Sequence, residues 1–136
     1  MVRIFLDTNV VLDIIGKREP FYQEAKLFLD LHANGLAKLQ IAESSIGNLY
    51  YLAFNVYKLP YSEFTMSEFF MACDILSAGK DLIYKSLDSN FKDKEDALQY
   101  YTALMNRCDF LITRDKKDFK FAKEIPVLTP KEFFAN

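Results

Sequence analysis

Residues 2–6 are a short, mostly apolar run that ends directly at Asp7, and this feature constrains the fold more than any other in the chain. An apolar run of this length, bounded by a polar residue, is typical of a buried β-strand. In α/β proteins, ligands bind just beyond the carboxyl ends of parallel strands. An aspartate at that point therefore indicates a role in binding or catalysis more than simple exposure to solvent. Asp7 is the first candidate functional residue.

Residues 109–115 repeat this design near the other end of the chain. The compact apolar part ends at Thr113, and Asp115 follows after one further residue. If the two strands are neighbours in one sheet, Asp7 and Asp115 lie at the same edge. Two unit charges about 4 Å apart repel by roughly 4 kcal/mol at an effective dielectric constant of about 20, so the pair requires a proton or a cation. We expect a divalent metal ion there.

The chain between these two segments alternates between strand and helix patterns. Such alternation predicts a parallel sheet with right-handed crossovers, and hence an α/β fold. A pair of serines, Ser44 and Ser45, is predicted to cap the third helix. The predicted strands are residues 2–6, 38–42, 81–85, 109–113 and 126–128, and the predicted helices are residues 9–15, 21–31, 46–54, 62–79 and 96–106, with a final helix started by Thr129 and Pro130.

Composition limits the class of protein. At 136 residues, of which 51% are hydrophobic, the chain is expected to form one domain with a full core. The formal net charge of -2 excludes an overall basic surface, so any nucleic-acid contact must use a local, salt-sensitive patch. No apolar run approaches the ~20 residues that span a bilayer, and Cys73 and Cys108 lack the spacing of a zinc site. We expect a cytoplasmic protein without membrane contact.

Asp96 opens the predicted helix at residues 96–106, where the helix dipole favours an anion. Its surroundings, EDALQ at residues 95–99, come between LDTNV at residues 6–10 and ITRD at residues 112–115. These three blocks have the order and spacing of a known family. The chain resembles the PIN domain family over essentially its whole length, so residues 1–136 are expected to form a single PIN-like domain.

The resemblance implies a three-layer α/β/α fold with a central parallel sheet of about five strands. It also implies a ribonuclease that depends on Mg²⁺ or Mn²⁺. Many single-domain bacterial members are toxins of the VapC type, held inactive by a cognate antitoxin, so an RNA substrate and an antitoxin partner are expected. The predicted helix at residues 62–79 is apolar on more than one side, which fits burial in the core or against a second subunit, and a homodimer is expected.

Metal ligation and catalysis are assigned by this resemblance to Asp7, Asp96 and Asp115. Oxygen ligands favour Mg²⁺ or Mn²⁺ over zinc, and such an ion activates a water molecule and stabilises phosphoryl charge. Asn48 stands where family members usually carry a glutamate. Because an amide brings no charge, metal affinity should fall, and one or two metal ions remain possible. Glu43, at the end of the second predicted strand, is either the replacement anion or an exposed loop carboxylate.

Other polar residues are expected to act around these three aspartates. Those predicted to orient the substrate or the ligands are Asn9, Glu43, Asn48, Thr113 and Asp118, whereas Asp13 and Asp93 are expected to be solvated or to cap helices. The cations beside Asp115 form either a solvated face or a contact for the RNA backbone. The leading candidates for that contact are Arg114, Lys116 and Lys117, with Lys120 and Lys123 in the same segment.

Two other functions compete with a ribonuclease. A PIN-fold RNA- or protein-binding module with weakened catalysis is the main alternative, because Asn48 is neutral. A phosphatase or receiver-like domain with an aspartate nucleophile is the third interpretation. It predicts a lysine at the end of a late strand, where this chain has Thr113 and Arg114.

Overall fold

A single five-stranded sheet forms the centre of the computed structural model, which describes residues 1–135. The strand order is β3-β2-β1-β4-β5, and every neighbouring pair is parallel. This confirms the predicted fold class, a parallel sheet flanked by helices. The strands are β1 (Val2–Leu6), β2 (Ala37–Ala42), β3 (Cys73–Leu76), β4 (Phe110–Ile112) and β5 (Val127–Leu128).

Helices cover both faces of this sheet. One core contains Ile4 and Leu6 of β1 and the helices α1 to α5 and α8, whereas Phe5 points into a second core with α7. The alternation along β1 therefore produces the three layers. The helices are α1 (Thr8–Ile15), α2 (Tyr22–Ala25), α3 (Leu27–Ala33), α4 (Ile46–Tyr50), α5 (Ser62–Ala72), α6 (Lys80–Asp88), α7 (Lys94–Met105) and α8 (Pro130–Phe134). Two 3₁₀ turns, Glu43–Ser45 and Lys116–Phe119, and a π-helical continuation of α4 at Tyr51–Val56 complete the chain.

The two strands that end in aspartate segments are direct neighbours, which is the condition under which Asp7 and Asp115 were expected at the same edge. Leu6 of β1 pairs with Ile112 of β4, and the backbone amide of Asp7 donates to the carbonyl of Ile112 at 2.9 Å. Both strands therefore stop at the same level. The residues that follow them leave the sheet side by side.

The third strand lies earlier in the chain than predicted. The prediction of a helix to residue 79 and a strand at residues 81–85 is wrong: α5 ends at Ala72, β3 is Cys73–Leu76, and residues 81–85 belong to α6. β3 is an edge strand with no fully buried residue, so it lacks the apolar run of a central strand. In α6 the buried residues, Leu82 and Ser86, lie four positions apart, which is helical spacing.

The predicted helix starts agree with the structure at α8 and only in part at α4. Thr129 caps α8 through a capping box with Glu132, in agreement with the predicted start. Of the predicted caps Ser44 and Ser45, both lie in a 3₁₀ turn, and Ser45 occupies the N-cap position of α4 without a side-chain cap hydrogen bond. Across residues 1–135, no helix is both long enough and apolar enough to cross a membrane.

Candidate active site

Asp7 is buried at the point where β1 becomes α1. Its side chain is the N-cap of α1, and the carboxylate Oδ1 accepts a hydrogen bond from the backbone amide of Thr8 at 2.7 Å. Thr113 donates to Oδ2 at 2.8 Å, and Gln99 donates from Nε2 to Oδ1 at 3.0 Å. With only 5% of its surface exposed, Asp7 is held by three donors in a fixed orientation.

Thr113 connects Asp7 to the segment after β4. Its hydroxyl donates to Asp7 and accepts a hydrogen bond from the backbone amide of Asp115 at 3.1 Å. Thr113 itself is fully buried. Burial is the main cause of the raised pKa of Asp7, and the negative charge of Asp115, at the end of the neighbouring strand, adds a smaller increase.

Asp96 reaches the same place from the first turn of α7. Its Oδ1 accepts a hydrogen bond from Nε2 of Gln99 at 3.5 Å, while the same amide group donates to Asp7. Gln99 is 1% exposed and lies three residues after Asp96, on the same face of the helix. One buried amide therefore bridges two carboxylates that lie far apart in sequence.

Asn48 and Glu95 lie together in the same site. The Asn48 amide donates from Nδ2 to Oε1 of Glu95 at 3.2 Å. An anion is thus present beside Asn48, although it comes from α7 and not from α4. Glu95 is a site residue that the sequence reasoning missed as a functional group, although it lies inside the motif at residues 95–99.

These side chains surround a polar cleft of about 170 Å³ at the carboxyl edge of the sheet. Asp93 caps α7 by accepting hydrogen bonds from the backbone amides of Glu95 and Asp96, in agreement with its predicted capping role. Asp115 lies beside the cleft and does not line it. The lining residues are Asp7, Thr8, Asn9, Asn48, Leu52, Asp93, Glu95, Asp96, Gln99 and Asp118.

The carboxylates of this cleft repel one another. Burial, followed by the charges of Asp7 and other neighbouring acidic groups, raises the pKa of Asp96 to about 8. Burial also raises the pKa of Asp7, although the hydrogen bonds from Thr113 and Gln99 lower it, and burial raises the pKa of Glu95. The raised pKa values mean that the residues of the cleft do not compensate its negative charge, which a proton or a cation would relieve.

Glu43 does not reach the cleft. It is exposed and accepts a hydrogen bond from the Ser77 hydroxyl at 2.9 Å. The suggestion that it replaces the missing glutamate is therefore not supported by its position. Asp13, expected to be solvated or to cap a helix, is instead fully buried and is paired with Arg114.

The cations beside Asp115 lie in three different environments. Arg114 donates from Nε to Asp13 at 2.7 Å, and Lys116 donates to Glu132 at 3.2 Å. Both are therefore already paired with carboxylates. Lys117 lines a separate, larger groove, where no carboxylate lies within ion-pair distance of its ammonium among residues 1–135.

The donor chemistry of the cleft fits a hard divalent cation. Carboxylate and amide oxygens dominate it, and burial together with the neighbouring acidic groups raises the pKa of Asp96. Within residues 1–135, no three His, Cys, Asp or Glu side chains are grouped so that they could hold a metal ion. The ligand atoms are of the type that binds such a metal ion. To share one ion, some of the carboxylates must turn towards one another.

Comparison with known proteins identifies the family. The model of the PIN domain family matches residues 3–117, most of the chain. The chain belongs to the PIN domain family. The aspartates Asp7, Asp96 and Asp115 all fall within the matched part, so the resemblance seen in the sequence is confirmed at the level of the family.

This PIN domain is similar in sequence to a named ribonuclease and similar in fold to chains of solved structures. It is 27% identical over 136 residues to Ribonuclease VapC1 of Aquifex aeolicus (strain VF5), with 96% of this chain and 92% of that protein covered. Its fold is similar to a chain of the DNA-bound VapBC structure from Salmonella typhimurium, with a TM-score of 0.73, 14% identity, and coverage of 96% and 99%. A chain of the VapBC2 structure from Rickettsia felis, bound to a promoter DNA fragment, gives a TM-score of 0.68, 17% identity, and coverage of 93% and 97%.

Proposed function

We propose that this PIN domain is an endoribonuclease that cleaves RNA phosphodiester bonds, and that it is the toxin of a toxin–antitoxin pair. The observation that carries the proposal is the cleft in which Asp7, Glu95 and Asp96 converge at the carboxyl edge of β1 and β4. The relative named Ribonuclease VapC1 supports the reaction, and the VapBC structures support an antitoxin partner.

In this proposal Asp7, Asp96 and Asp115 hold Mg²⁺ or Mn²⁺. Such an ion, when bound, supplies an activated water molecule and stabilises the negative charge that develops on the phosphoryl oxygens. A carboxylate by itself cannot stabilise that charge, because it carries the same sign. An acidic cleft that acts on an anionic backbone is therefore consistent with a bound cation.

Hydrogen bonds from neighbouring residues orient the carboxylates of the cleft. Gln99 and Thr113 fix the orientation of the Asp7 carboxylate through their hydrogen bonds. The Thr113 hydroxyl also holds the backbone of Asp115, so the orientation of Asp7 and the start of the following segment depend on each other. Asn48 donates to Glu95 and keeps that carboxylate at the wall of the cleft. Asn9 and Asp118, which also line the cleft, are the groups proposed to orient the substrate.

A protein partner is proposed for the surface around α4 and its continuation. Tyr50, Tyr51 and Phe54 are large, partly exposed side chains there, at 44%, 56% and 38% exposure. Exposed apolar clusters of this kind commonly mark protein interfaces. On α5, Phe64 and Met71 are exposed at 67% and 87% and extend the candidate surface for an antitoxin or a second copy of the chain.

A binding module with weakened catalysis is the second candidate function. The neutral Asn48 and the hydrogen bond that its amide donates to Glu95 favour it, because the amide adds no charge for a metal ion. This candidate uses the same surfaces for RNA or protein but carries out no hydrolysis.

A cleavage assay separates the two candidates. Purified protein is incubated with a mixture of structured and unstructured RNA in Mg²⁺, in Mn²⁺ and in EDTA, beside an Asp7→Asn variant whose folding is checked by circular dichroism. We expect metal-dependent cleavage by the native chain and a loss of at least about 100-fold in Asp7→Asn, because the variant removes a central anion. Equal cleavage by the variant contradicts the site, and binding without any cleavage favours the module.

A further inference from the structure

A small cavity lies next to Gln99, between the end of β2 and the helices α1, α4 and α7. We call it the Thr8 cavity. The space within it that the centre of a water molecule can occupy is about 10 Å³. A cavity needs about 10–15 Å³ of such space to hold one water molecule. The Thr8 cavity therefore has room for a single water molecule and for no larger ligand.

Three polar side chains line the Thr8 cavity, and the rest of its wall is apolar. Thr8 is the first residue of α1, Ser45 ends the 3₁₀ turn after β2, and Gln99 lies in α7. They are 8%, 7% and 1% exposed. Cavities that stay dry are lined by apolar groups, whereas about three polar partners are typical of a buried water molecule. The wall of this cavity is therefore that of a water site.

The hydroxyl groups of Thr8 and Ser45 are unpaired within the described part of the chain. Both oxygen atoms are buried, and neither has a hydrogen-bond partner among the protein atoms of residues 1–135. Ser45 occupies the N-cap position of α4, but its side chain makes no cap hydrogen bond. Buried hydroxyl groups in proteins are nearly always bonded to a protein atom or to an ordered water molecule, because an unpaired one is costly. Two such groups on one cavity indicate that they share a partner.

Gln99 provides a third group for that partner. Its Nε2 atom donates to Asp7 at 3.0 Å and to Asp96 at 3.5 Å. A side-chain amide carries an acceptor oxygen beside its donor nitrogen. Gln99 lines both the Thr8 cavity and the acidic cleft, so one amide serves both spaces. With Nε2 used by the carboxylates, Oε1 is the atom that a donor in the cavity would meet.

We propose that one ordered water molecule occupies the Thr8 cavity and bonds to Thr8, Ser45 and Gln99. It accepts a hydrogen bond from one hydroxyl group, donates to the oxygen of the other, and donates its second proton to Oε1 of Gln99. The water thereby holds the amide with Nε2 turned towards Asp7 and Asp96. Thr8 and Ser45 are thus positioning residues that act on these carboxylates through the water and Gln99. The proposal does not depend on the ribonuclease function.

A high-resolution crystal structure of the native chain tests the water directly. The expected result is one peak of electron density within hydrogen-bonding distance of Thr8 Oγ1, Ser45 Oγ and Gln99 Oε1. A double variant with Thr8→Val and Ser45→Ala should lose this peak, because only one of the three polar partners is left. An empty cavity in the native chain, or a peak that persists in the double variant, overturns the proposal.

Thermal unfolding separates bridged hydroxyl groups from unpaired ones by the sign of the effect. Thr8→Val and Ser45→Ala should each lower Tm by about 3 °C, because each removes one partner of the water. Replacing both should lower Tm no further than the larger single change, since the water then has no hydroxyl partner to lose. Removing a hydroxyl group that truly has no partner would instead raise Tm. A higher Tm in either single variant overturns the proposal.

Thr102→Val is the matched control for these substitutions. Thr102 is fully buried in α7, its hydroxyl group donates to the carbonyl of Leu98 at 2.7 Å, and it does not line the Thr8 cavity. Its effect on Tm should therefore add to that of Ser45→Ala, whereas the effects of Thr8→Val and Ser45→Ala should overlap. Full additivity of Thr8→Val and Ser45→Ala would contradict a shared water.

The side-chain amide of Gln99 reports on the positioning role. Heteronuclear NMR follows the exchange of its Nε2 hydrogens with solvent. Ser45→Ala should speed this exchange at least about tenfold, and Thr102→Val should leave it unchanged, because only the former frees the amide to turn. Equal exchange in Ser45→Ala and in the native chain overturns the positioning role. A chain that cleaves no RNA would defeat the proposed function alone, since the density, Tm and exchange measurements need no substrate.

Discussion

Arg114 donates a hydrogen bond from Nε to Oδ2 of Asp13 at 2.7 Å, and the Asp13 side chain is 1% exposed. The guanidinium carbon also lies 3.8 Å from the centre of the Phe21 ring. This ion pair joins α1, whose N-cap is Asp7, to the segment that carries Asp115. It therefore links the two segments that follow β1 and β4.

We predict that replacing Arg114 alone lowers the free energy of unfolding more than replacing both partners of this ion pair does. Burial raises the pKa of Asp13 despite the neighbouring Arg114, so the isolated carboxylate is poorly solvated. Arg114→Leu should lower the free energy of unfolding by about 3 kcal/mol, because it leaves a buried charge with only Arg18 nearby, at 3.8 Å.

A double-mutant cycle measured by urea unfolding checks this prediction. The Asp13→Leu and Arg114→Leu double variant should be more stable than Arg114→Leu alone, since no buried charge then remains. Additive losses would mean that the two side chains act independently. Arg114→Lys keeps the charge but not the planar hydrogen-bonding group, and should fall between the native chain and Arg114→Leu.

Most of the fold was predictable because its central strands carry strong local signals. β1 and β4 are apolar runs that end at polar residues, so both were recognised as strands, although their direct pairing was only assumed before the structure showed it. β3 gave no such signal, because an edge strand needs only part of its surface buried. Its position depends on pairing with β2, through Leu39 and Cys73, and this contact is not visible in local sequence.

The site was predictable in its aspartates and less so in its supporting groups. Asp7 was singled out by its position at a strand end, whereas Asp96 was assigned through the resemblance to the PIN family. Asp115, assigned in the same way, lies beside the cleft and does not line it. Gln99 was missed as a bridge because a polar residue in a helix is usually exposed, and only the packing of α7 on the sheet buries it. Glu43 was considered because the sequence placed it at the end of the second strand, but it begins the 3₁₀ turn after β2, where it accepts a hydrogen bond from Ser77.

Thr113→Val should remove hydrogen bonds that position Asp7 and Asp115 without changing the packing of the core. Valine has nearly the same shape as threonine, but it cannot donate to Asp7 or accept from the amide of Asp115. We expect a loss of about 1–3 kcal/mol in the free energy of unfolding, because buried polar partners are left unsatisfied. We also expect RNA cleavage to fall at least about tenfold. Thr113→Ser, which keeps the hydroxyl, should retain most of both; equal losses in the two variants would point to packing instead of the hydrogen bonds.

Stability without metal should fall as the pH rises. The pKa of Asp96 is raised from its ordinary value to about 8 in the folded chain, so the folded state binds this proton more tightly than the unfolded state does between about pH 4 and pH 8. The contribution of the proton is present at low pH and is lost as pH increases through 8.

Urea unfolding in EDTA from pH 5 to pH 8 measures this dependence. The native chain should lose stability across the range, and Asp96→Asn should lose much less because its amide does not titrate. Adding Mg²⁺ at pH 8 should restore stability in the native chain if the cation replaces the proton. An unchanged pH dependence in Asp96→Asn would show that Asp96 is not the group responsible.

Asn48→Glu should make the chain less stable without metal and raise its affinity for Mg²⁺. The native amide donates a hydrogen bond to Glu95, and a carboxylate in its place would put two anions about as close together. We expect a loss of about 1 kcal/mol in EDTA, because a half-buried hydrogen bond becomes a repulsion. The same added charge strengthens an oxygen-ligand site for a divalent cation, so the stabilisation by a given Mg²⁺ concentration should exceed that of the native chain.

Asn48→Gln is the matched control, since it lengthens the side chain without adding charge. Mg²⁺ that stabilises both variants equally would contradict a role for position 48 in metal binding and would favour a site formed by Asp7, Asp96 and Asp115 alone.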